Sequence, residues 1–289
     1  MNASVGRPNG KEGPWWRDGR ALASVRRVNP PVAVVTGASR GIGRAVTERL
    51  TTSGRRVVAV GRSREQLDEV AERTGAVPLV LDVTDPDAVA EALAQVAADL
   101  GTPSLLVNNA GVAGTSGPTW EQDPADWWRV FEVNVLGTLL CSRAVLPGMV
   151  ARGSGRIVNV SSNAAFFRVD DDADGLINSA YMASKAALIR FTEAVAAEAA
   201  ASGVQAFAIS PGMVKTDMTA EIFADEWDEP DLWSSPALTA DLVAFIDSGA
   251  LDGLSGRYIH AANDDWRTLA GRAQDIVAHD LHSLRVRTD

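Results

Sequence analysis

The sequence predicts an α/β fold: a doubly wound open sheet of mostly seven parallel strands, in a single domain with helices on both faces. Three observations carry that prediction. Short apolar, β-branched runs without alternation recur along the chain, as in Val32-Ala33-Val34-Val35, and such runs read as strands buried on both faces of a parallel sheet. Stretches with helical periodicity alternate with them, and alternation at this spacing builds right-handed βαβ units. The first strand also runs into a helix through Thr36-Gly37-Ala38-Ser39-Arg40-Gly41-Ile42-Gly43, a turn dense in glycine.

Each element has its own reason. Residues 1–30 carry six Lys and Arg against Glu12 and Asp18, show no periodicity, and read as a disordered or loosely docked tail. After strand Val32–Thr36 comes helix Gly41–Thr52, where Ile42, Val46 and Leu50 recur at spacing four and so share a face. Strand Arg56–Val60, helix Arg64–Arg73 and strand Val77–Leu81 continue the alternation. Thr84-Asp85-Pro86 then supplies an N-cap and a first-turn proline for helix Pro86–Asp99. Strand Ser104–Val107, helix Pro124–Val150, strand Gly155–Val160, helix Ala180–Ala201, strand Val204–Ser210, helix Pro236–Ile246 and strand Gly256–His260 complete the pattern. The domain is expected over 31–263, and residues 264–289 read as a C-terminal helical extension.

Composition narrows the function classes. With 289 residues, 46 % of them hydrophobic, the chain can bury a sizeable core without a metal or disulfide staple. Cys141 is the single cysteine; it reads as a small core hydrophobe and points to a reducing, cytoplasmic compartment. His260, His279 and His282 are dispersed, so no metal site is expected. The net charge of -10 and the lack of a basic stripe argue against a nucleic-acid partner. No apolar stretch reaches the roughly 18 residues of a membrane span, so no membrane partner is expected either.

Three stretches carry chemistry. A glycine-rich turn between a buried strand and a helix aims free backbone N–H groups and a helix N-terminus at a phosphate, and glycine lets a pyrophosphate approach without a Cβ in the way. Downstream, Ala180-Tyr181-Met182-Ala183-Ser184-Lys185 puts Tyr181 and Lys185 four apart on one helix face. A phenol is a poor acid–base catalyst at neutral pH, and a neighbouring ammonium is expected to lower its pKa. Three strands also end in polar or glycine-rich segments: Asn108-Asn109-Ala110-Gly111, Ser161-Ser162, and Ser210-Pro211-Gly212-Met213-Val214-Lys215-Thr216-Asp217-Met218. In an open parallel sheet those carboxyl ends are where ligands bind.

Taken in order, these motifs make the chain resemble the short-chain dehydrogenase/reductase family, in its Thr-Gly-x3-Gly-x-Gly and Tyr-x3-Lys subgroup, over roughly 32–262. The resemblance implies a Rossmann-type fold and a role for each matching residue. Tyr181 matches the acid/base, Lys185 the lysine that lowers its pKa and bonds the nicotinamide ribose, Ser162 the serine that polarises the substrate carbonyl, and Asn134 the asparagine holding a water in the proton relay. Gly37, Ser39, Arg40, Gly41, Ile42 and Gly43 match the pyrophosphate turn. Asp82 and Val83 match the adenine side, Asn109, Ala110 and Gly111 the stretch beside the adenosine ribose, and Pro211, Gly212, Val214 and Thr216 the contacts to carboxamide and pyrophosphate. Read as residues alone, Asp82 is also a turn former and Asn134 also a helix-kink residue.

Cofactor choice rests on the end of the second strand. Dinucleotide sites that prefer NAD place an acidic residue there for the ribose 2′-OH; here the position is Gly61, followed by Arg62, with Arg40 in the glycine turn. Two guanidiniums suit a 2′-phosphate, so NADP(H) is expected over NAD(H). Two departures from the family stand out. Ser162 and Tyr181 are further apart than usual, the excess including the acidic run Val169–Gly175, which reads as a solvated loop or as a wall favouring a cationic substrate. The end of the chain lacks the usual Asp-Gly-Gly and continues past the last strand, which puts tetramer packing there in doubt. Between Ala220 and Ser235, where the family places its substrate lid, Ile222, Phe223, Trp227, Leu232 and Trp233 point to a substrate with apolar area.

The expected function is thus an NADP(H)-dependent oxidoreductase interconverting a carbonyl and a secondary alcohol, with ketone reduction favoured. Its partners are a small-molecule substrate and further copies of itself, as homodimer or homotetramer. The alternatives are alcohol oxidation in a biosynthetic pathway and a non-catalytic NADPH-sensing regulator.

Overall fold

A computed structural model describes residues 30–167, 178–220, 223–224 and 227–285. The N-terminal tail and the acidic run at 169–175 fall outside the described residues. Strands β1 (Val32–Thr36), β2 (Arg56–Gly61), β3 (Val77–Val80), β4 (Leu105–Asn108), β5 (Gly155–Val160), β6 (Val204–Ser210) and β7 (Tyr258–His260) form one sheet. The order is β3-β2-β1-β4-β5-β6-β7 with every pair parallel. The winding reverses between β1 and β4, so a crevice opens at their carboxyl ends.

Helices α1 (Gly41–Thr52), α2 (Arg64–Thr74) and α8 (Pro236–Asp247) cover one face; α3 (Pro86–Leu100), α5 (Gly137–Arg152) and α6 (Ser179–Ala199) cover the other. β1 shows the division residue by residue. Ala33 and Val35 pack with Val46 and Leu50 of α1 and Leu242 and Ile246 of α8. Val32 and Val34 pack with Leu93 of α3, Val145 and Met149 of α5, and Val195 of α6. Successive side chains of a strand point to opposite faces, and both faces here are covered, which is why the strands read as unbroken apolar runs.

The caps work as expected. Asp85 accepts from the N–H groups of Asp87 and Ala88 at the start of α3, and Gly75 closes α2 in the left-handed region. Cys141 is buried in the core and burial pushes its thiol up to about 12, so it is an inert packing residue.

Two expectations need correction. The helix expected over Pro124–Val150 divides into α4 (Pro124–Phe131) and α5, joined by a π-helical turn at Glu132–Leu136. That helical run, Pro124–Arg152, is also long and apolar enough by length and composition to cross a membrane, contrary to the sequence reading. Half of its most apolar window is buried inside the fold, so the apolar surface serves the core. The C-terminal extension is built of short helical pieces. Short helices α9 (Trp266–Leu269) and α10 (Ala273–Ala278) pack Trp266, Leu269 and Ile276 into the core. The chain then returns along the sheet edge, where His282 accepts from the Tyr258 N–H at 2.8 Å and its Nδ1 lies 2.9 Å from the Tyr258 carbonyl. An edge strand with open N–H and C=O groups invites pairing with another chain; this segment covers part of that edge.

Candidate active site

The glycine turn joins β1 to α1 at the carboxyl end of β1, where the crevice opens. Gly37 has φ of 63°, and a Cβ on it would lie 2.8 Å from Asn109 Nδ2. A Cβ on Gly43 would lie 2.1 Å from the Gly37 carbonyl oxygen, so no side chain fits. Asn109 pins the turn from β4: its Nδ2 donates to the carbonyls of Thr36 and Gly37 at 3.0 and 3.1 Å. Thr36 Oγ1 in return accepts from the Asn109 and Ala110 N–H groups, both at 3.0 Å. The Asn109 side chain is therefore occupied in holding the turn. At the N-terminus of α1, Arg40 occupies the cap position but makes no side-chain cap bond, and the first turn carries no acid. Its leading N–H groups are left to an anion from outside the helix. A cradle closed to any Cβ and an uncapped helix start fit a dinucleotide pyrophosphate.

These parts wall a cleft of about 470 Å³, within the usual range for a small-molecule site. Of the predicted contacts, Gly37, Ser39, Arg40, Gly41, Ile42, Arg62, Asp82, Val83, Asn109, Ala110, Gly111, Tyr181, Lys185, Pro211 and Thr216 line it. Five predicted positions stand behind the lining, among them Ser162, whose neighbour Ser161 takes the place at the cleft wall. Gly43 is covered by Gly37, Gly212 packs against Ser234, Ala262 and His260, the Val214 side chain is buried, and the Asn134 side chain is buried. Sequence reasoning missed Val112, Arg129, Lys215, Asp217 and Met218, which also line the cleft. Lys215, Asp217 and Met218 belong to the strand end Ser210–Met218 read as facing the ligand, but no role was assigned to them there.

Asp82 serves both readings. Its Oδ1 accepts from the Thr84 N–H at 2.9 Å and hydroxyl at 2.7 Å, the signature of a turn former, while the residue still lines the cleft. Burial pushes its pKa up, but the Thr84 bonds and the Arg129 and Arg62 charges outweigh this and hold the carboxyl below its usual value.

The acid–base group assembles at the other end. Asn178 caps α6, accepting from the Tyr181 N–H at 3.0 Å, and its Nδ2 ties the helix start to the Ala113 carbonyl at 2.7 Å. Sequence reading placed the helix start near Ala180 without using this asparagine, although Asn is a favoured N-cap. Tyr181 is half-buried. Burial raises its pKa, and a hydrogen bond with the Ser162 hydroxyl pulls the other way. Lys185 Nζ lies 5.3 Å from the centre of the Tyr181 ring and donates to the Val160 carbonyl at 2.9 Å. Burial drives the Lys185 ammonium itself down to about 8.

Asn134 sits in the π turn, fully buried. Its Oδ1 accepts from the Val112 N–H at 2.9 Å, and its Nδ2 donates to the Val112 carbonyl and to Ser184 Oγ, both at 3.0 Å. Ser184 Oγ in turn donates to the Tyr181 carbonyl at 2.8 Å. The asparagine thus fastens the loop after β4 to the helix that carries Tyr181. No group of three or more metal-binding side chains occurs among the described residues.

Comparison with known proteins agrees with this geometry. Residues 31–227 match the family model of the short chain dehydrogenases. The short chain dehydrogenase citE of Monascus ruber is 37 % identical over 264 residues, 87 % of each chain. The cis-4-hydroxycyclohexanecarboxylate dehydrogenase of Sinomonas cyclohexanicum is 40 % identical over 200 residues, 67 % of this chain and 77 % of that one. A gluconate 5-dehydrogenase from Burkholderia cenocepacia, solved in complex with NADP and tartrate, superposes with a TM-score of 0.73 at 27 % identity, covering 84 % of this chain and 97 % of that chain. With its parallel seven-stranded sheet, its glycine cradle and its Tyr181–Lys185 helix, the chain belongs to the short-chain dehydrogenase/reductase family, as an oxidoreductase of the dehydrogenase type.

Proposed function

We propose that the chain is an NADP(H)-dependent oxidoreductase that interconverts a ketone and a secondary alcohol, with reduction favoured. The observation that carries this reading is the convergence of Tyr181, its Ser162 hydrogen bond and Lys185 at one end of a cleft whose other end is the glycine cradle. A bound nicotinamide would supply or accept the hydride. Ser162 would polarise the substrate oxygen through its hydroxyl, and Tyr181 would pass its phenolic proton to that oxygen. A phenol is protonated at neutral pH, so Tyr181 is present in its proton-donor form. The Lys185 ammonium is positioned by the Val160 carbonyl beside the tyrosine ring, where its charge favours the phenolate left after transfer. The Asn134 side chain is committed to Val112 and Ser184, and its backbone carbonyl accepts from Thr138 Oγ1 at 2.8 Å, so a part in proton relay would use that carbonyl's second lone pair.

For the cofactor, Arg40 and Arg62 line the adenosine side of the cleft and no carboxylate stands at Gly61. This supports a 2′-phosphate, as does the NADP held by the related gluconate 5-dehydrogenase. For the substrate, Trp227 and Trp233 meet at 5.1 Å and Phe223 packs on Trp233 at 6.1 Å. Apolar rings beside the site favour a substrate with apolar area. A relative named for a cyclohexane alcohol also supports a secondary-alcohol substrate. A lone buried cysteine is consistent with cytoplasmic work. The α5–α6 face exposes Leu139 and Val150 beside a groove formed with Leu146 and Phe191, an apolar surface that supports a homodimer. The covered β7 edge argues against extension to a tetramer there.

The test is a carbonyl panel followed by NADPH absorbance with Tyr181→Phe as the decisive variant. It should bind NADPH within about twofold of wild type, yet lose on the order of a hundredfold or more in kcat, in line with general acid–base contributions. Retention of a tenth of wild-type kcat would remove Tyr181 from the mechanism. Oxidation of an alcohol remains the second reading, since the same residues serve both directions. A sensor without turnover is disfavoured by the retention of both Tyr181 and Lys185.

A further inference from the structure

We propose that Asp217 is a built-in competitor for Arg40 that sets how strongly this protein favours a 2′-phosphorylated cofactor. The inference rests on the reading of Arg40 as a 2′-phosphate ligand. In the structure the Arg40 guanidinium donates to the Asp217 carboxylate across the mouth of the cleft, and both residues line it. Arg40 caps α1, while Asp217 opens α7 (Asp217–Ala220), far along the chain. The two segments touch at this point: a Cβ on Gly41 would lie 3.2 Å from Thr216 Cγ2.

Asp217 is held there by its own turn. Thr219 Oγ1 accepts from the Thr216 N–H at 2.9 Å and donates to the Val214 carbonyl at 2.8 Å. The Thr219 and Ala220 N–H groups both reach the Thr216 carbonyl at 3.0 Å. The cation next in sequence points elsewhere, with Lys215 Nζ 4.9 Å from the Trp227 ring centre and 5.5 Å from that of Trp233. Arg40 is therefore the cation that the Asp217 carboxylate faces in the ion pair, and the carboxylate occupies a guanidinium donor that a phosphate would need.

The consequence is an exchange of partners. A 2′-phosphate carries roughly −1.5 to −2 charge near neutral pH and offers three strong acceptors, so it outcompetes one carboxylate for the guanidinium. It must first break the existing pair. A cofactor with a free 2′-OH leaves that pair intact and meets no such cost. Asp217 thus reduces the discrimination that Arg40 would otherwise provide. Arg40 and Asp217 side chains are 60 % and 69 % exposed, and exposed pairs are weak, so the expected effect is about two- to fivefold.

The experiment measures binding of adenosine 2′,5′-bisphosphate and of adenosine 5′-monophosphate by calorimetry, so turnover does not enter. The ratio of the two affinities reads the 2′-phosphate alone. Wild type should prefer the bisphosphate. Asp217→Asn should widen that ratio about two- to fivefold, Asp217→Ser should do the same, and neither change should matter in an Arg40→Ala background, where a double-mutant cycle isolates the coupling. An unchanged ratio in both Asp217 variants would overturn the proposal while leaving Arg40 as a phosphate ligand. A widening that persists without Arg40 would overturn it too, since simple repulsion by the carboxylate would then account for the effect. Equal affinity of wild type for the two nucleotides would refute the 2′-phosphate reading itself, and this inference with it.

Discussion

Lys185→Met should make the protein inactive and, at neutral pH, change its stability in a manner fixed by burial of the ammonium. Lys185 is 4 % exposed, and burial lowers its pKa from an ordinary 10.5 to about 8. Because the folded value lies below the unfolded one, the unfolded chain binds a proton that the native chain lacks between those two values. Native stability therefore rises with pH across that window. At 1.36 kcal/mol per unit, the ammonium costs the native state about 3 kcal/mol near pH 7 and roughly 1.4 kcal/mol near pH 9.5. Methionine has similar length and no charge, so the variant lacks that slope. It also loses the bond to the Val160 carbonyl at 2.9 Å, a constant offset of about 1.5–3 kcal/mol for a charged donor. Relative to wild type, the variant should thus lose about 2 kcal/mol of stability between pH 7 and 9.5 whatever the offset. For a chain of this size that is a Tm difference changing by roughly 4–8 °C. Paired thermal and urea melts of both proteins, without added cofactor and at matched concentration, read the difference directly. A difference between wild type and variant that stays constant over this range would refute the burial argument and place the Lys185 charge in contact with solvent.

Two further outcomes follow from the same structure. Arg40→Ala/Arg62→Ala should lower kcat/KM for NADPH with little change for NADH, on the order of a hundredfold in their ratio if each arginine makes one charged hydrogen bond; wild type using both cofactors equally would sink the assignment. Val150→Arg with Leu139→Glu, on the exposed face of α5, should convert a dimer to a monomer in light scattering, and a wild-type protein already monomeric at micromolar concentration would rule that interface out.

The sequence alone determined the sheet, the glycine cradle and the acid–base pair, for local reasons. A strand covered on both faces must be apolar throughout, so β1 announced itself as Val32-Ala33-Val34-Val35. A turn that admits no Cβ must be glycine, so Gly37 and Gly43 were readable before any contact was known. Tyr181 and Lys185 are one helical turn apart, and no tertiary information is needed to place them on one face. Tertiary structure decided what depends on neighbours distant in the chain. Lys185 is depressed because the packing of α6 against β5 buries the ammonium beside Val160, and no local pattern reports that burial. Asn109 serves the glycine turn because β1 and β4 are adjacent at the switch point. The π turn at Asn134 is set by the docking of its side chain onto Val112 and Ser184, which a helical periodicity cannot encode. The pairing of Arg40 with Asp217 joins two turns brought together only when β6 takes its place in the sheet, so charge type was legible in the sequence and charge partner was not.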